Sequence, residues 1–395
     1  MAFAFVVLLA LTACSDKEHE ALVAKISGRV AEINSYGQVV PDFTPADMKK
    51  AGFEYADMIY ATIGDAVEVD SVPFLTSFNE SGVLELSYVD YNAKGTDYGF
   101  GLLNGDFHKY VGGKVGDKIV MTLSKKGGYK KNYDLLRSVY PEERRANETA
   151  EQYANFRMIR TSGVAEGVIY RSSNPLNCVN NAGRYRVADS LARVVGIKTE
   201  IDLADTDEKV EKYMATEGYA SEYCPQLFKS GNTITCGMSA AIFDDAFKAE
   251  VGRLVKFMIA HEPPYLVHCN EGKDRCGFVS MLLEALQGAD VGELRDDYME
   301  TMLNFYQIER GGESYLLRQK IAIDRMIWVL CNEDALANYR EIRWDDIDVA
   351  AIKTDELQAA ARNYLSECGV DDRECDTLTG ILAGKKTSVN SDSAH

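Results

Sequence analysis

Between residues 26 and 123, short apolar runs alternate with glycine and Asp/Asn punctuation. Residues 28–37, 58–64, 66–69, 82–86 and 118–123 each read as a strand closed by a turn. Residues 45–52 read as a short helix. Together these runs predict a small N-terminal β-barrel-like domain. Residues 142–153 turn to helical spacing, and beyond them strand and helix patterns take turns. Residues 167–173 and 196–203 carry strand patterns, and 185–195 an amphipathic helix. A short apolar run, 265–267, precedes an apolar helix over 278–286. Strands alternating with helices predict an α/β fold with a central, mostly parallel sheet flanked by helices.

The pattern divides the chain into six parts: a leader (1–14), a tether (15–25), the barrel-like accessory domain (26–124), a linker with a helix (125–149), the α/β domain (150–385) and a polar tail (386–395) expected to be disordered. A chain of 395 residues is long enough for such parts and for a sizeable core. The formal net charge is −18, so the surface as a whole repels nucleic acid and anionic membranes. An anionic substrate then needs a local positive pocket. The run Lys125-Lys126-Gly127-Gly128-Tyr129-Lys130-Lys131 reads either as the rim of such a pocket or as a solvated linker.

The leader has an uncharged apolar run, 3–11, too short to span a bilayer as a helix. Leu11-Thr12-Ala13-Cys14 resembles the lipobox of bacterial lipoproteins, which implies lipidation of Cys14. The expected product is an extracytoplasmic lipoprotein, at the periplasmic face or the cell surface, held to the membrane by that anchor only. The alternative is an ordinary signal peptide with an incidental Cys14. Outside the cytoplasm cysteines can pair. Cys224 with Cys236, and Cys368 with Cys375, flank short loops suited to disulfides, although spacing does not fix connectivity.

The candidate chemistry lies in Pro263-Pro264-Tyr265-Leu266-Val267-His268-Cys269-Asn270-Glu271-Gly272-Lys273-Asp274-Arg275-Cys276-Gly277. The order is strand, tight loop, helix. A helix N-terminus offers unpaired N–H groups and the positive end of a dipole. With the loop amides it can cradle a phosphate-sized dianion, and such a field favours the thiolate of a cysteine at its base. Arg275 adds a planar fork for two phosphoryl oxygens. Cysteine and arginine at this spacing also occur at Cys178 and Arg184, but no apolar strand precedes that copy, which reads as a loop leading into a helix.

His-Cys-x-x-Gly-Lys-Asp-Arg resembles the signature of the bacterial tyrosine-protein and phosphoinositide phosphatase family, whose nucleophile is the loop cysteine. Asn155-Phe156-Arg157, Tyr170-Arg171-Ser172-Ser173, Ile201-Asp202-Leu203, Asp297-Tyr298 and Tyr364-Leu365 resemble further pieces of that family, in order, over about residues 150–385. The resemblance implies a cysteine-dependent phosphatase with Cys269 as nucleophile and Arg275 and the amides of 270–275 holding the phosphoryl oxygens. His268, Asn270, Glu271, Gly272 and Lys273 complete the substrate-binding loop, with His268 fixing it and Lys273 meeting a second phosphate or a carboxylate. Asp274 is the first candidate for general acid and Asp202 the second, with orientation of the loop as Asp202's other reading. No metal or other cofactor is implied. The expected partners are a phosphorylated small molecule, a lipid headgroup or a phosphopeptide.

Three positions depart from the family pattern. Cys276 replaces the hydroxyl that normally helps the phosphocysteine break down, Ala204 replaces an arginine, and Glu271 puts a carboxylate where small residues are usual. Cys276 is either a buried small residue or a redox partner for Cys269, as Cys178 would be. A phosphate-binding pseudoenzyme and an adhesion or scaffold lipoprotein are the alternatives. The strand-and-turn pattern of the first domain resembles the smaller β-domain of S-adenosylmethionine hydroxide adenosyltransferases. That resemblance implies a fold but no chemistry, with a role in shaping the cleft or holding the enzyme off the membrane.

Overall fold

The computed structural model describes residues 24–91, 97–137, 144–179 and 183–385. Cys14, the leader, most of the tether and the polar tail lie outside them.

Seven strands form the first body: β1 (Lys25–Ile33), β2 (Val39–Pro41), β3 (Met58–Ile63), β4 (Val67–Leu75), β5 (Leu86–Asp90), β6 (Tyr98–Leu102) and β7 (Lys118–Lys125). They close into a barrel in the order β1-β2-β6-β5-β4-β3-β7, with β7 pairing β1. Neighbours are antiparallel except β4 and β5. Closure removes the free edges that an open sheet of this size would expose. The helix Pro45–Lys50 starts where expected, because Thr44 and Asp47 cap one another across its first turn. The strand expected at 82–86 begins instead at Leu86. Val83 and Leu84 are fully buried against other elements, so their apolar character reflects packing and not strand alternation. Residues 144–149 are not helical, and the helix entering the second body is only Ala150–Tyr153.

The second body is a five-stranded sheet: β8 (Arg157–Met158), β9 (Ile169–Ser173), β10 (Thr199–Asp202), β11 (Thr233–Thr235) and β12 (Tyr265–Cys269), ordered β11-β10-β12-β9-β8. All pairs are parallel except the short β8, which runs antiparallel to β9. β12 is central, and each of its five residues is buried. A strand covered on both faces reads as a continuous apolar run, as 265–267 does. The helices Arg184–Val195, Asp245–Ala260, Asp274–Leu286 and Thr354–Glu367 belong to this body.

Barrel and α/β body share one continuous apolar core. Val83 donates its amide to Ile321 O at 2.8 Å, Arg325 Nη1 donates to Val83 O at 3.1 Å, and Tyr110 stacks on Tyr339 with centroids 5.7 Å apart. The Tyr339 hydroxyl also donates to Leu84 O. Docking of this kind buries the seam as a domain core is buried, so the barrel is fixed relative to β12.

Candidate active site

β12 delivers Cys269 to the C-terminal edge of the sheet, opposite Ser173 of β9. The chain turns through 270–273 and enters the helix Asp274–Leu286. Three loop carbonyls are drawn outward by the scaffold: Asn270 O accepts from the Asn174 amide at 3.2 Å, Glu271 O from Asn155 Nδ2 at 3.0 Å and Gly272 O from Arg171 Nη2 at 2.8 Å. Across a planar trans peptide the next N–H points the opposite way. The amides of residues 271–273 therefore face inward. Among the described residues, the amides from Glu271 to Arg275 meet no protein acceptor. The first turn of a helix has none to offer them.

Gly272 is required by this turn. Its φ is +74°, and a Cβ there would sit 2.5 Å from Ser172 O and 2.8 Å from Asn155 Nδ2.

A buried charge network braces the loop. Asp297 accepts from Arg157 Nε at 2.9 Å and from Arg171 Nη1, and Arg157 Nη1 donates to Asn155 Oδ1 at 2.7 Å. Burial pushes the Asp297 carboxyl up, but Arg157 and Arg171 outweigh it and hold the group below the usual carboxylate range. Asn155 and Arg157, with Arg171 and the distant Asp297, thus act together by fixing the carbonyl side of the loop. Glu284 lies near them, and burial followed by Asp297 raises its carboxyl.

A second cluster sits behind β12. His268 is fully buried, with Nε2 3.1 Å from Glu200 Oε1 and Nδ1 3.9 Å from Asp202 Oδ1. Burial favours the neutral imidazole, yet Asp202 and Glu200 together hold its pKa above the ordinary value. Asp202 pairs in register with His268, and its Oδ1 accepts from the amides of Ala204 and Asp205 at 2.8 and 3.1 Å. Burial raises its carboxyl, against the pull of His268. Neither Asp202 nor His268 lines the cleft over Cys269.

That cleft encloses about 450 Å³. Cys269, Asn270, Glu271, Asp274 and Arg275 line its base, and Tyr36, Phe78 and Tyr91 of the barrel line its wall. Arg275 Nη1 donates to Met238 O at 2.9 Å, which aims the guanidinium and leaves other N–H groups for a ligand. Lys273 is buried beneath the cleft and lines none of it. Its Nζ donates to Asn79 Oδ1 of the barrel at 2.6 Å, lies 3.5 Å from Asp274 and 4.0 Å from Glu271, and sits over the Tyr306 ring at 5.1 Å. The partners it meets are therefore a barrel amide, two carboxylates and an aromatic ring. Glu271, the unusual acid, also accepts from the Tyr306 hydroxyl.

The basic run does not form a rim. Lys126 binds Asp57 and Glu54, Lys130 pairs with Asp134 and Lys131 with Glu313, and none of them lines the cleft. Among the described residues, the only basic side chain lining the cleft is Arg275 of the loop itself.

Cys276 is fully buried at 0% exposure, with its thiol donating to Val267 O at 3.3 Å, and burial pushes it up to about 11. It is a packed, neutral thiol. The eight described cysteines, Cys224, Cys236, Cys368 and Cys375 among them, are free, so neither suggested disulfide forms. In the second copy of the spacing, Arg184 is buried against Tyr153 and Phe305 and donates to Tyr153 O at 2.7 Å, at the start of a helix as expected. Asn79, Asn174, Glu200, Thr301 and Tyr306 were not singled out from the sequence. Asn79 lies 194 residues from Lys273, and nothing local to either marks the pair.

A family model described as "Tyrosine phosphatase family" matches residues 152–384, more than half of the chain. No curated protein matches. Among solved structures, the core catalytic domain of the PP-IP phosphatase SIW14 from S. cerevisiae, in complex with citrate, is 18% identical over 48% of this chain and 100% of its own, with a TM-score of 0.24. A second structure of the Siw14 catalytic core is 19% identical over 48% of this chain and 99% of its own, with a TM-score of 0.25. An uncharacterized conserved protein from Thermotoga maritima is 21% identical over 25% of this chain, with a TM-score of 0.22, and this chain spans only 36% of that protein's length. With the family model covering the whole α/β body and its loop, the chain belongs to the tyrosine phosphatase family of cysteine-dependent phosphatases.

Proposed function

We propose that the protein hydrolyses phosphate monoesters without a metal, through a phosphocysteine on Cys269. One observation carries the reading: Cys269 shares the base of a cleft with Arg275, on a loop whose amides from 271 to 275 meet no protein acceptor among the described residues. Those donors match the three equatorial oxygens of a transferring phosphoryl group, where charge must be stabilised in a loose transition state. The Cys269 thiolate attacks phosphorus in line, and the bond to the ester oxygen breaks. Asp274, which lines the cleft, protonates the leaving oxygen. Water then attacks phosphorus, the P–S bond breaks, Asp274 takes the proton, and phosphate leaves. Asp202, buried behind β12 beside His268, orients the loop strand. The substrate class stands between phosphotyrosine, phosphoinositide and inositol phosphate. For placement, we propose that Cys14 carries a lipid anchor outside the cytoplasm. No helix among the described residues is long and apolar enough to cross a membrane.

The test is phosphate release by the purified full-length protein under reducing conditions with chelator present, against Cys269→Ser. Release should fall by at least roughly 10³-fold in the variant. Equal release from both would sink the mechanism. Incorporation of labelled palmitate that survives Cys14→Ser would sink the anchor.

A further inference from the structure

The wall of the cleft that faces the phosphate loop is built by the barrel, and its chemistry is unusual for a site that takes an anion. Two large aromatics stand exposed there, Tyr36 at 59% and Tyr91 at 60%, and the Phe78 and Tyr91 rings lie 6.2 Å apart. Among the described residues, the acidic lining residues are Asp97, Asp106, Asp244, Glu271 and Asp274, and the basic one is Arg275. Lys109 neutralises Asp244 at 3.1 Å, and the buried Lys273 serves Glu271 and Asp274 together. Among the described residues, Asp97 and Asp106 have no cation within ion-pair distance, and both belong to the barrel side.

A ligand with several phosphates needs a cation for each, and among the described residues this lining offers only Arg275, which serves the same phosphate as the loop amides. An ester with a flat apolar group fits the aromatic wall, since such rings stack on one another. Positive charge beside that ester meets Asp97 and Asp106. Resting on the phosphatase reading above, we propose that the barrel is the specificity wall of this enzyme: Tyr36, Phe78 and Tyr91 take the ring of an aryl phosphate, and Asp97 and Asp106 select a peptide segment with basic residues beside it. The overall negative charge of the chain steers the same ligands towards the cleft.

The experiment compares kcat/KM of the full-length protein on four substrates: p-nitrophenyl phosphate, a phosphotyrosine peptide flanked by lysine and arginine, the same peptide flanked by glutamate and aspartate, and inositol hexakisphosphate. The basic peptide should exceed the acidic one by about tenfold at low salt, and the ratio should shrink as salt is added. Asp97→Asn combined with Asp106→Asn should bring the ratio to about twofold or less. Tyr91→Ala should cut kcat/KM on both phosphotyrosine peptides by about fivefold relative to inositol hexakisphosphate. Hydrolysis of p-nitrophenyl phosphate with equal rates on the two peptides overturns this inference and leaves the phosphatase reading standing. So does best turnover of inositol hexakisphosphate, or a ratio unmoved in the double variant. Turnover of none of the four overturns both.

Discussion

At the scale of single residues, the loop depends on groups that hold its backbone in place. Gly272→Ala would put a Cβ against Ser172 O at 2.5 Å in a left-handed conformation. A cost of about 1–3 kcal/mol and near-complete loss of phosphate release are expected, measured by thermal melting and turnover. Arg275→Lys keeps the charge but loses the planar fork, so kcat should drop by roughly 10²-fold. Asp297→Asn leaves Arg157 and Arg171 buried with half their compensation, which should cost about 3–5 kcal/mol in urea unfolding. The pH signature follows from the sign of the shift. The Asp297 carboxyl is held down to about 2, so its stabilisation is complete above the unfolded value near 3.9 and is lost as pH falls through the folded one. Acid unfolding of Asp297→Asn should therefore lack the loss between about pH 4 and 2 expected of the parent protein.

At the scale of elements, β12 and the helix after it carry two clusters, one on each side. His268, behind the strand, has a raised pKa, so its pairing with Asp202 and Glu200 stabilises the fold below the ordinary value of 6.5 and fades as pH rises through the folded value. Glu200→Gln removes one of the two carboxylates, and the imidazole resonance followed by NMR should then titrate at lower pH. An unchanged midpoint would show that Asp202 alone sets it. Below the loop, Lys273 joins the helix start to the barrel through Asn79. Lys273→Met would leave Glu271 and Asp274 uncompensated beside the cleft, and KM for an anionic ester should rise by about tenfold.

For the whole molecule, the decisive fact is that the barrel and the α/β body share a core. Two bodies with a continuous apolar seam should unfold as one, so circular dichroism and tyrosine fluorescence should give coincident urea transitions. Two resolved transitions would contradict the shared core. The same seam lets the barrel form one wall of the cleft over Cys269. Removing residues 24–125 would expose the faces covered by Val83, Tyr110 and their partners, and the remaining protein should aggregate at concentrations where the full chain stays soluble.

The sequence by itself determined most of the strands and helices and the loop that carries the candidate reacting groups. Alternation and glycine punctuation marked β1, β3, β4 and β7 of the barrel but not β2 or β6, and placed β5 too early; the apolar run at 265–267 marked a strand covered on both faces, and Cys269, Gly272 and Arg275 marked the loop, because strand, turn and helix start are local properties of the chain. Asn155, Arg157, Arg171 and Asp297 were legible as pieces of a family pattern, but not as one network. Tertiary structure alone decided that they meet beneath the loop, that Lys273 faces Asn79 and two carboxylates, that Cys276 is packed away and that Lys126, Lys130 and Lys131 are neutralised elsewhere. It also decided that the barrel walls the cleft. Each of these outcomes depends on which distant side chain fills the space beside a group, and that neighbour is set by packing between elements, which no pattern along the chain encodes.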